Sequence, residues 1–427
     1  MMKERKLFIC FLWILSFFVS RSILFAQSTQ LVIIDSLRVD LSLFTPPSAF
    51  YFTEKQVVCH KGESDNQSLV FVDFETGKVV EQTPISARFV KSFVGLDIND
   101  YMLFTIRNSN KYRGILMVSK SDHSRQLIFP FHKKHKHNLF ESYRYFFWVD
   151  SIRNRIILKA DMHCSRFDSK NLEESTKKSY DCKKLLAAIG PENTRYEFFG
   201  SFSASYKKLL NVKDFEPIYF FGDIKTGYIY MTEAIGNQIY AFDEKLKLID
   251  SIPRNYDIPN TLPEKVEIYK SIPDLYVNDH KIWIESTFTS GMFYDAENES
   301  IYLMRAGAIK DTTTVDSVWV KQKLSSFKKP LDYCLGCPLN RPNQKTLLGE
   351  KPRIIEVYKK GLSGKFYHAE TIPFSQQYPE LKNIWLSGIY GDYMYSGGGF
   401  KNHNEKPLTI YRFRIVQGNQ TSAKSGN

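Results

Sequence analysis

The stretch "PIYFFGDIKTGYIYMTEAIGNQIYAFDEKLKLIDSIP", residues 217–253, decides the fold. It divides into PIYFFGD, GYIYMTE, NQIYAFD and KLKLIDSI, each rich in Ile, Tyr, Phe or Leu and bounded by Asp, Lys, Gly or Asn. Those are strand lengths and strand residues with turn chemistry between them. A helix would carry apolar positions three and four apart over more than about ten residues. Gly227 and Gly236 interrupt any such run. Four short strands joined by tight connections form an antiparallel meander.

The same four-part unit recurs. Residues 48–84 read as SAFYFTE, KQVVCHK, QSLVFVDFE and KVVEQTP, and residues 92–130 as SFVGLDIN, DYMLFTIRN, YRGILMVSK and SRQLIFP. Further pieces start at Asp274, at Arg353–Ile372 and at Ile384–Ile415, and Tyr143–Lys159 begins a unit whose second half is obscured. One small sheet cannot bury both faces alone, whereas sheets stacked radially cover each other and leave only short edges. The expectation is therefore an all-β β-propeller of four-stranded antiparallel blades. Six blades are favoured; seven result if Gly307–Ile372 forms a blade of its own. The last unit offers only three strands, IWLSGIYG, DYMYSGG and LTIYRFRIV. The segment TQLVIIDSLRVDL, residues 29–41, has no unit of its own. It is expected to supply the fourth strand and close the ring.

Two stretches break the tempo. Within 161–193, Asp181–Ile189 reads as a short helix ended by Gly190 and Pro191, inserted on one blade. Residues 328–353 are rich in Pro, Gly and Asn and read as a long loop.

The N-terminus has the layout of an export signal. Lys3, Arg5 and Lys6 precede the apolar run Leu7–Val19, and Ala26 offers a small residue for cleavage before Gln27. A spanning helix needs roughly 20 apolar residues, and Arg21 cuts this run short. Cys10 lies too early to be a lipid-attachment cysteine. The expected organisation is a signal peptide at 1–26, one propeller domain at 27–420 and a disordered tail at 421–427. A secreted or periplasmic monomer follows, with no membrane span after cleavage. Retention of the segment as an anchor is the alternative.

Of the 427 residues, 58 are Lys or Arg and 46 Asp or Glu, a formal charge of +12. Removing Lys3, Arg5, Lys6, Arg21 and Glu4 lowers it by three, to +9. Lysine pairs are scattered at 133–134, 177–178, 183–184, 207–208, 328–329 and 359–360. That scatter is a solvated basic surface rather than a nucleic-acid groove, so nucleic acid is excluded as a partner.

The segment 227–252 resembles the NHL-type propeller repeat, in which a Gly-aromatic strand is followed by a turn, an Asn-x-Ile pair and a strand ending in Phe-Asp. Gly227, Ile229, Tyr230, Asn237, Ile239, Phe242 and Asp243 stand at the matching positions, while Thr232-Glu233 departs from the small-residue-Asp pair of that repeat. With its export signal, the whole chain resembles secreted bacterial six-bladed propeller proteins of unknown function. The resemblance implies fold and compartment and carries over no catalytic residue.

Candidate sites are few. Cys334 and Cys337 form a C-x-x-C next to Pro338. With no second pair of ligands and no following helix, a local disulfide suits them better than zinc or redox exchange. Cys164 and Cys182 flank the irregular insertion and are a second candidate disulfide, and Cys59 sits in an apolar strand as a buried thiol. His132, His135 and His137 alternate with lysines that repel a cation, giving an exposed basic loop. Aromatic residues make up 15% of the chain and belong mainly to packing between blades. The stretch YMYSGGGF is the best ligand-contact candidate, with Tyr393, Tyr395, Gly397, Gly398 and Phe400, because its glycines allow close approach. No Ser-His-Asp set, H-E-x-x-H or paired-carboxylate spacing is legible, and no residue is assigned to a metal.

Two functions are carried forward. One is an exported, non-catalytic binding or scaffolding propeller for a peptide, a glycan or a cell-surface protein. The other is a propeller hydrolase, lyase or lactonase with a divalent metal at the central channel. Propellers host both, so fold alone decides neither.

Overall fold

The computed structural model describes residues 30–39, 51–53, 55–61, 67–85, 90–96, 101–107, 113–119, 125–131, 147–150, 152–159, 184–190, 196–203, 218–254, 287–307, 352–381, 384–398 and 408–416. After β1 (Gln30–Val39), sheet I holds β2 (Tyr51–Phe52), β3 (Gln56–Lys61), β4 (Gln67–Asp73) and β5 (Val79–Ile85). Sheet II holds β6 (Val90–Leu96), β7 (Tyr101–Arg107), β8 (Arg113–Ser119) and β9 (Arg125–Phe131). Sheet III holds β10 (Phe147–Asp150), β11 (Arg155–Lys159), β12 (Lys184–Ile189) and β13 (Glu197–Ser201). Sheet IV holds β14 (Ile218–Gly222), β15 (Ile229–Glu233), β16 (Gln238–Phe242) and β17 (Leu248–Pro253). Sheet V holds β18 (Phe288–Asp295), β19 (Ser300–Ala306), β20 (Arg353–Lys360) and β21 (Phe366–Ile372), followed by one helical turn, α1 (Phe374–Gln377). Sheet VI holds β22 (Ile384–Tyr390), β23 (Tyr393–Gly398) and β24 (Leu408–Val416), with β1 as its fourth strand. Every pairing is antiparallel, and sheets I to V run in strand order, which is the meander read from residues 217–253; in sheet VI the first strand of the chain, β1, adds beside the last, β24.

The sheets pack through shared apolar layers. Ile157 and Leu186 of sheet III meet Ile229 and Met231 of sheet IV. Tyr230 and Ile239 of sheet IV meet Leu303 and Tyr358 of sheet V. Met304 and Ile355 of sheet V meet Met394 and Phe413 of sheet VI. Tyr395 and Ile410 of sheet VI meet Val57 and Val70 of sheet I. The first strands of successive sheets, β10 with β14, β14 with β18, β18 with β22, β22 with β2 and β2 with β6, lie against one another. Approach is tight enough that a Cβ on Gly222 would stand 2.2 Å from the Trp148 ring.

β1 pairs with β24 from Gln30↔Val416 to Val39↔Leu408, with a bulge between Ile33 and Asp35. A bulge shifts the inward–outward alternation by one. Leu31 therefore joins the layer facing sheet V, and Leu37 the layer facing sheet I. Asp35 grips Arg412 of β24 with both carboxylate oxygens, at 3.1 and 2.5 Å, and the Tyr378 hydroxyl donates to the Leu31 carbonyl. The sequence carries an unused sign of this role: Ile34-Asp35-Ser36-Leu37 repeats Ile249-Asp250-Ser251-Ile252 of β17, another fourth strand.

Two expectations are corrected or decided. Residues 184–189 form a strand, β12, not the end of a helix. Leu185 to Ile189 are all buried and the strand pairs with both β11 and β13, so two-sided burial overrides a short apolar run that fits either structure. Asp181 to Lys183 lie outside the described residues. Nor do β20 and β21 found a sheet of their own: they complete the one begun by β18 and β19.

Candidate functional site

Strand connections sort to two ends. At one end, here the turn end, first strands turn into second strands and third into fourth, and the longest connection is 190–196. At the other, the crown end, second strands lead to third strands and each sheet to the next, through connections that include 132–146, 160–183, 254–287 and 307–352.

The turn end satisfies itself. Asp73 accepts the Thr76 amide and hydroxyl, both at 2.7 Å, and Asp223 accepts the Lys225 amide at 3.0 Å and the Thr226 hydroxyl at 2.8 Å. Both turns read Asp-x-x-Thr-Gly, and Gly227 takes a left-handed φ of 73° that its side-chain-free backbone allows. Asp243 accepts the amides of Lys245 and Lys247, and Asp295 that of Glu297. Arg153 and Arg155, both bonded to the buried Asp150, reach across to the Thr226 and Glu244 carbonyls of sheet IV.

The crown end holds buried charges that bridge sheets. Glu233 ends β15, fully buried, and accepts the Ser203 amide at 2.8 Å and the Ser203 hydroxyl at 2.6 Å from the end of sheet III. Burial pushes its carboxyl up to about 7, against the lowering influence of the Ser203 bonds and of Arg254. Arg254 follows β17, 2% exposed; it donates to the Gly236 carbonyl and stands 3.8 Å from Glu356 of sheet V. Glu356, inside the apolar β20, takes Arg305 of β19 at 2.5 Å and the Tyr358 hydroxyl at 2.9 Å. The Thr289 amide, at the start of β18, donates to Ala234 in the β15–β16 turn at 2.6 Å. The result is two buried polar groups beneath the crown of sheets III, IV and V, Ser203–Glu233 and Arg254–Glu356–Arg305, coupled by the field of Arg254 at Glu233. Arg353, equally buried, lies across β20 on the face turned to sheet VI, and burial draws its guanidinium down to about 10.

Buried and mutually satisfied, these groups fix the geometry of the crown end, and burial brings the Glu233 carboxyl to the neutral range. Among the described residues no group of three His, Cys, Asp or Glu side chains is arranged to hold a metal ion.

The residues singled out from sequence fall elsewhere. Tyr395 is buried, stacked on Phe52 at 4.6 Å and edge-on to Phe74 at 5.7 Å, and its hydroxyl donates to the Thr53 carbonyl. It joins sheet VI to sheet I. Tyr393 starts β23 at the turn end, half-buried beside the Arg412 guanidinium, and Gly397 and Gly398 end the strand at the crown. Cys59 is a buried free thiol, its Sγ 3.6 Å from the Val70 carbonyl and its pKa pushed up to about 12 by burial. Phe400, Cys164, Cys182, Cys334, Cys337 and His132, His135 and His137 lie outside the described residues. The buried polar groups were missed because their members are far apart in sequence. A charge within an apolar strand, Glu356 in RIIEVYKK or Arg305 in SIYLMRA, was the available signal.

No protein-family model matches the sequence, and no curated protein does. Among solved structures, a member of the DUF4221 family from Bacteroides vulgatus superposes with a TM-score of 0.57 at 11% identity, over 91% of this chain and 99% of that one. A Bacteroides fragilis protein provisionally assigned as exported gives 0.42 at 11% identity, over 91% and 96%. An inactive virginiamycin B lyase from Staphylococcus aureus gives 0.41 at 9%, over 91% and 100%. Among the described residues no helix is long and apolar enough to cross a membrane. At these identities the first likeness speaks to architecture only, and with the sheet order and packing above, the chain is a β-propeller with four-stranded antiparallel blades.

Proposed function

We propose that this chain is exported, loses residues 1–26, and acts as a non-catalytic binding or scaffolding propeller whose crown end receives a peptide, glycan or protein partner. Its six sheets are the six blades of one closed ring at 27–420, latched by β1. One observation carries the reading: among the described residues, links between sheets whose charged side chains are all buried lie at the crown end, where Glu233 takes Ser203 and Arg254 stands against Glu356, whereas the cations that cross sheets at the turn end, Arg153, Arg155 and Lys360, remain partly exposed. Preset polar groups on a rigid frame suit recognition, since little order is lost on binding. Gly397, Gly398 and Phe400 belong to the same end of the proposed surface. The cysteine pairs 164–182 and 334–337 are proposed as disulfides that tighten two crown connections.

The test is a glycan and peptide screen with the exported protein, followed by hydrogen-exchange mapping of any hit. Protection at 202–203, 234–237 and 287–289 is expected. Protection confined to the turn end would refute the reading, and so would turnover of a screened compound that Glu233→Gln abolishes, which would favour the hydrolase or lyase alternative. N-terminal sequencing of the exported protein checks the leader.

A further inference from the structure

Four fourth strands share a local rule that sheet VI modifies. β5, β17, β21 and β1 each bulge by one residue, at Val80, Ile249, Ala369 and Ile34, and an acid follows directly: Glu81, Asp250, Glu370 and Asp35. In sheets I, IV and V a hairpin joins third strand to fourth, and the third-strand residue opposite the acid is apolar: Phe71, Ala241 and Val357. Sheet VI has no such hairpin, because β1 is the first described strand and β24 the last. There the residue opposite the acid is Arg412. It takes both oxygens of Asp35, and its guanidinium lies over the Phe74 and Tyr393 rings at 4.9 and 5.1 Å. An ion pair stands where the other sheets have covalent continuity.

The grip on β1 starts with its first residues. Gln30 is opposite Val416, Leu31 is buried in the layer facing sheet V, and its carbonyl accepts the Tyr378 hydroxyl. Only Gln27, Ser28 and Thr29 separate Gln30 from the bond after Ala26. Three extended residues span at most about 11 Å, whereas a chain of this length folds to a radius of gyration of about 20 Å. A peptidase must lay out several residues on each side of the bond it hydrolyses, and in a folded protein it reaches them only through local opening. With β1 in sheet VI, the downstream side of the 26–27 bond is committed to β24 from Gln30 onward.

Export order produces the opposite state first. In a chain that emerges from its N-terminus, β1 comes out early and β24 late, with 377 residues between Asp35 and Arg412. Until β24 arrives, β1 has no place in sheet VI, and nothing in that sheet shields the 26–27 bond.

We propose that the pairing of β1 with β24 ends the period in which the leader can be removed, where residues 1–26 are the cleavable leader proposed above. Hydrolysis of the 26–27 bond by a leader peptidase then precedes closure of sheet VI, and a chain that closes first keeps its leader as an anchor. Water adds across the bond, so that Ala26 leaves with the new carboxylate and Gln27 with the new amino group.

The test is cell-free synthesis of the full precursor in detergent micelles, with leader peptidase present throughout or added after folding. N-terminal sequencing should find Gln27 in the first case, and the folded precursor should be cut roughly tenfold more slowly in the second. A Gly-Ser spacer of roughly eight residues between Thr29 and Gln30, about 27 Å when extended, leaves the strand pair in place and should restore cutting after folding. Arg412→Ala, which loosens the clasp, should restore part of it; the spacer variant decides the matter where that substitution prevents folding. Equal rates before and after folding would overturn the proposal and leave the leader standing. A spacer variant as resistant as the folded wild type would also overturn it, since strand pairing would not be the barrier. No cutting at 26–27 in either case would overturn the leader and the proposal together.

Discussion

At the turn end Asp73, Asp223, Asp243 and Asp295 are met by amides two to four residues further along their own turns; at the crown end Glu233 and Glu356 are met by side chains from distant strands, Ser203 after sheet III, Arg254 after sheet IV and Arg305 within sheet V. Asp243 accepts the amides of Lys245 and Lys247, whereas Glu356 depends on Arg305 and Arg254. A local bond of the first kind forms as soon as the turn does and repeats from sheet to sheet. A bond of the second kind exists only when the sheets are assembled, and it removes charges from water at a cost that only good geometry offsets. The first kind maintains a frame; the second concentrates polar groups where a partner can use them.

Breaking the long-range kind should cost most. Glu356→Ala leaves the Arg305 and Arg254 guanidinium groups buried without their shared carboxylate and should lower stability by about 3–5 kcal/mol, read from denaturant unfolding. Replacing Arg305 by Met and Glu356 by Leu together should recover part of that loss, because one of the two orphaned guanidinium groups is then gone while Arg254 remains. A double variant as unstable as the single one would show that packing, not charge, is at stake. Gly222→Ala tests the frame between sheets III and IV. Its new methyl group meets the Trp148 ring, and overpacking should cost about 1–3 kcal/mol.

Glu233 sharpens the comparison through pH. Its folded pKa is raised, so the folded state holds the proton more tightly than the unfolded chain does. The stability this provides is fully present below the unfolded value near 4.5 and is lost as pH rises through about 7. Glu233→Gln should flatten that slope and melt higher than wild type at mildly alkaline pH, by roughly 1–2 kcal/mol. A wild-type melting temperature that instead rises across this range would contradict the burial assigned to Glu233. The smallest effect belongs to a single turn: Asp243→Ala, which exposes two amides already near water, should cost about 1 kcal/mol.

The comparison also separates what was legible in the sequence. Strands such as 229–233 and 238–242 were visible because short runs of strand-favouring residues bounded by turn residues are local signals. β12 was not, because Leu185–Ile189 suits a buried strand and a helix alike until β11 and β13 are in place. The ligand stretch around Tyr393 drew notice for its composition, yet Tyr395 is occupied by Phe52 and Phe74, partners far away in the chain. Ser203, Glu233, Arg254, Arg305 and Glu356 come from three sheets, and no sequence spacing joins them.

The pairing of β1 with β24 holds the first and last described strands in one sheet, and everything above stands on that arrangement. Val32 and Arg414 are register partners with exposed side chains. A cysteine at each, Val32→Cys with Arg414→Cys, should form an intramolecular disulfide under mild oxidation, identified by peptide mapping. Closing so long a loop should add up to about 6 kcal/mol in the chain-entropy picture, seen as a higher melting temperature. A folded double variant that yields only intermolecular bonds, or none, would contradict the shared sheet.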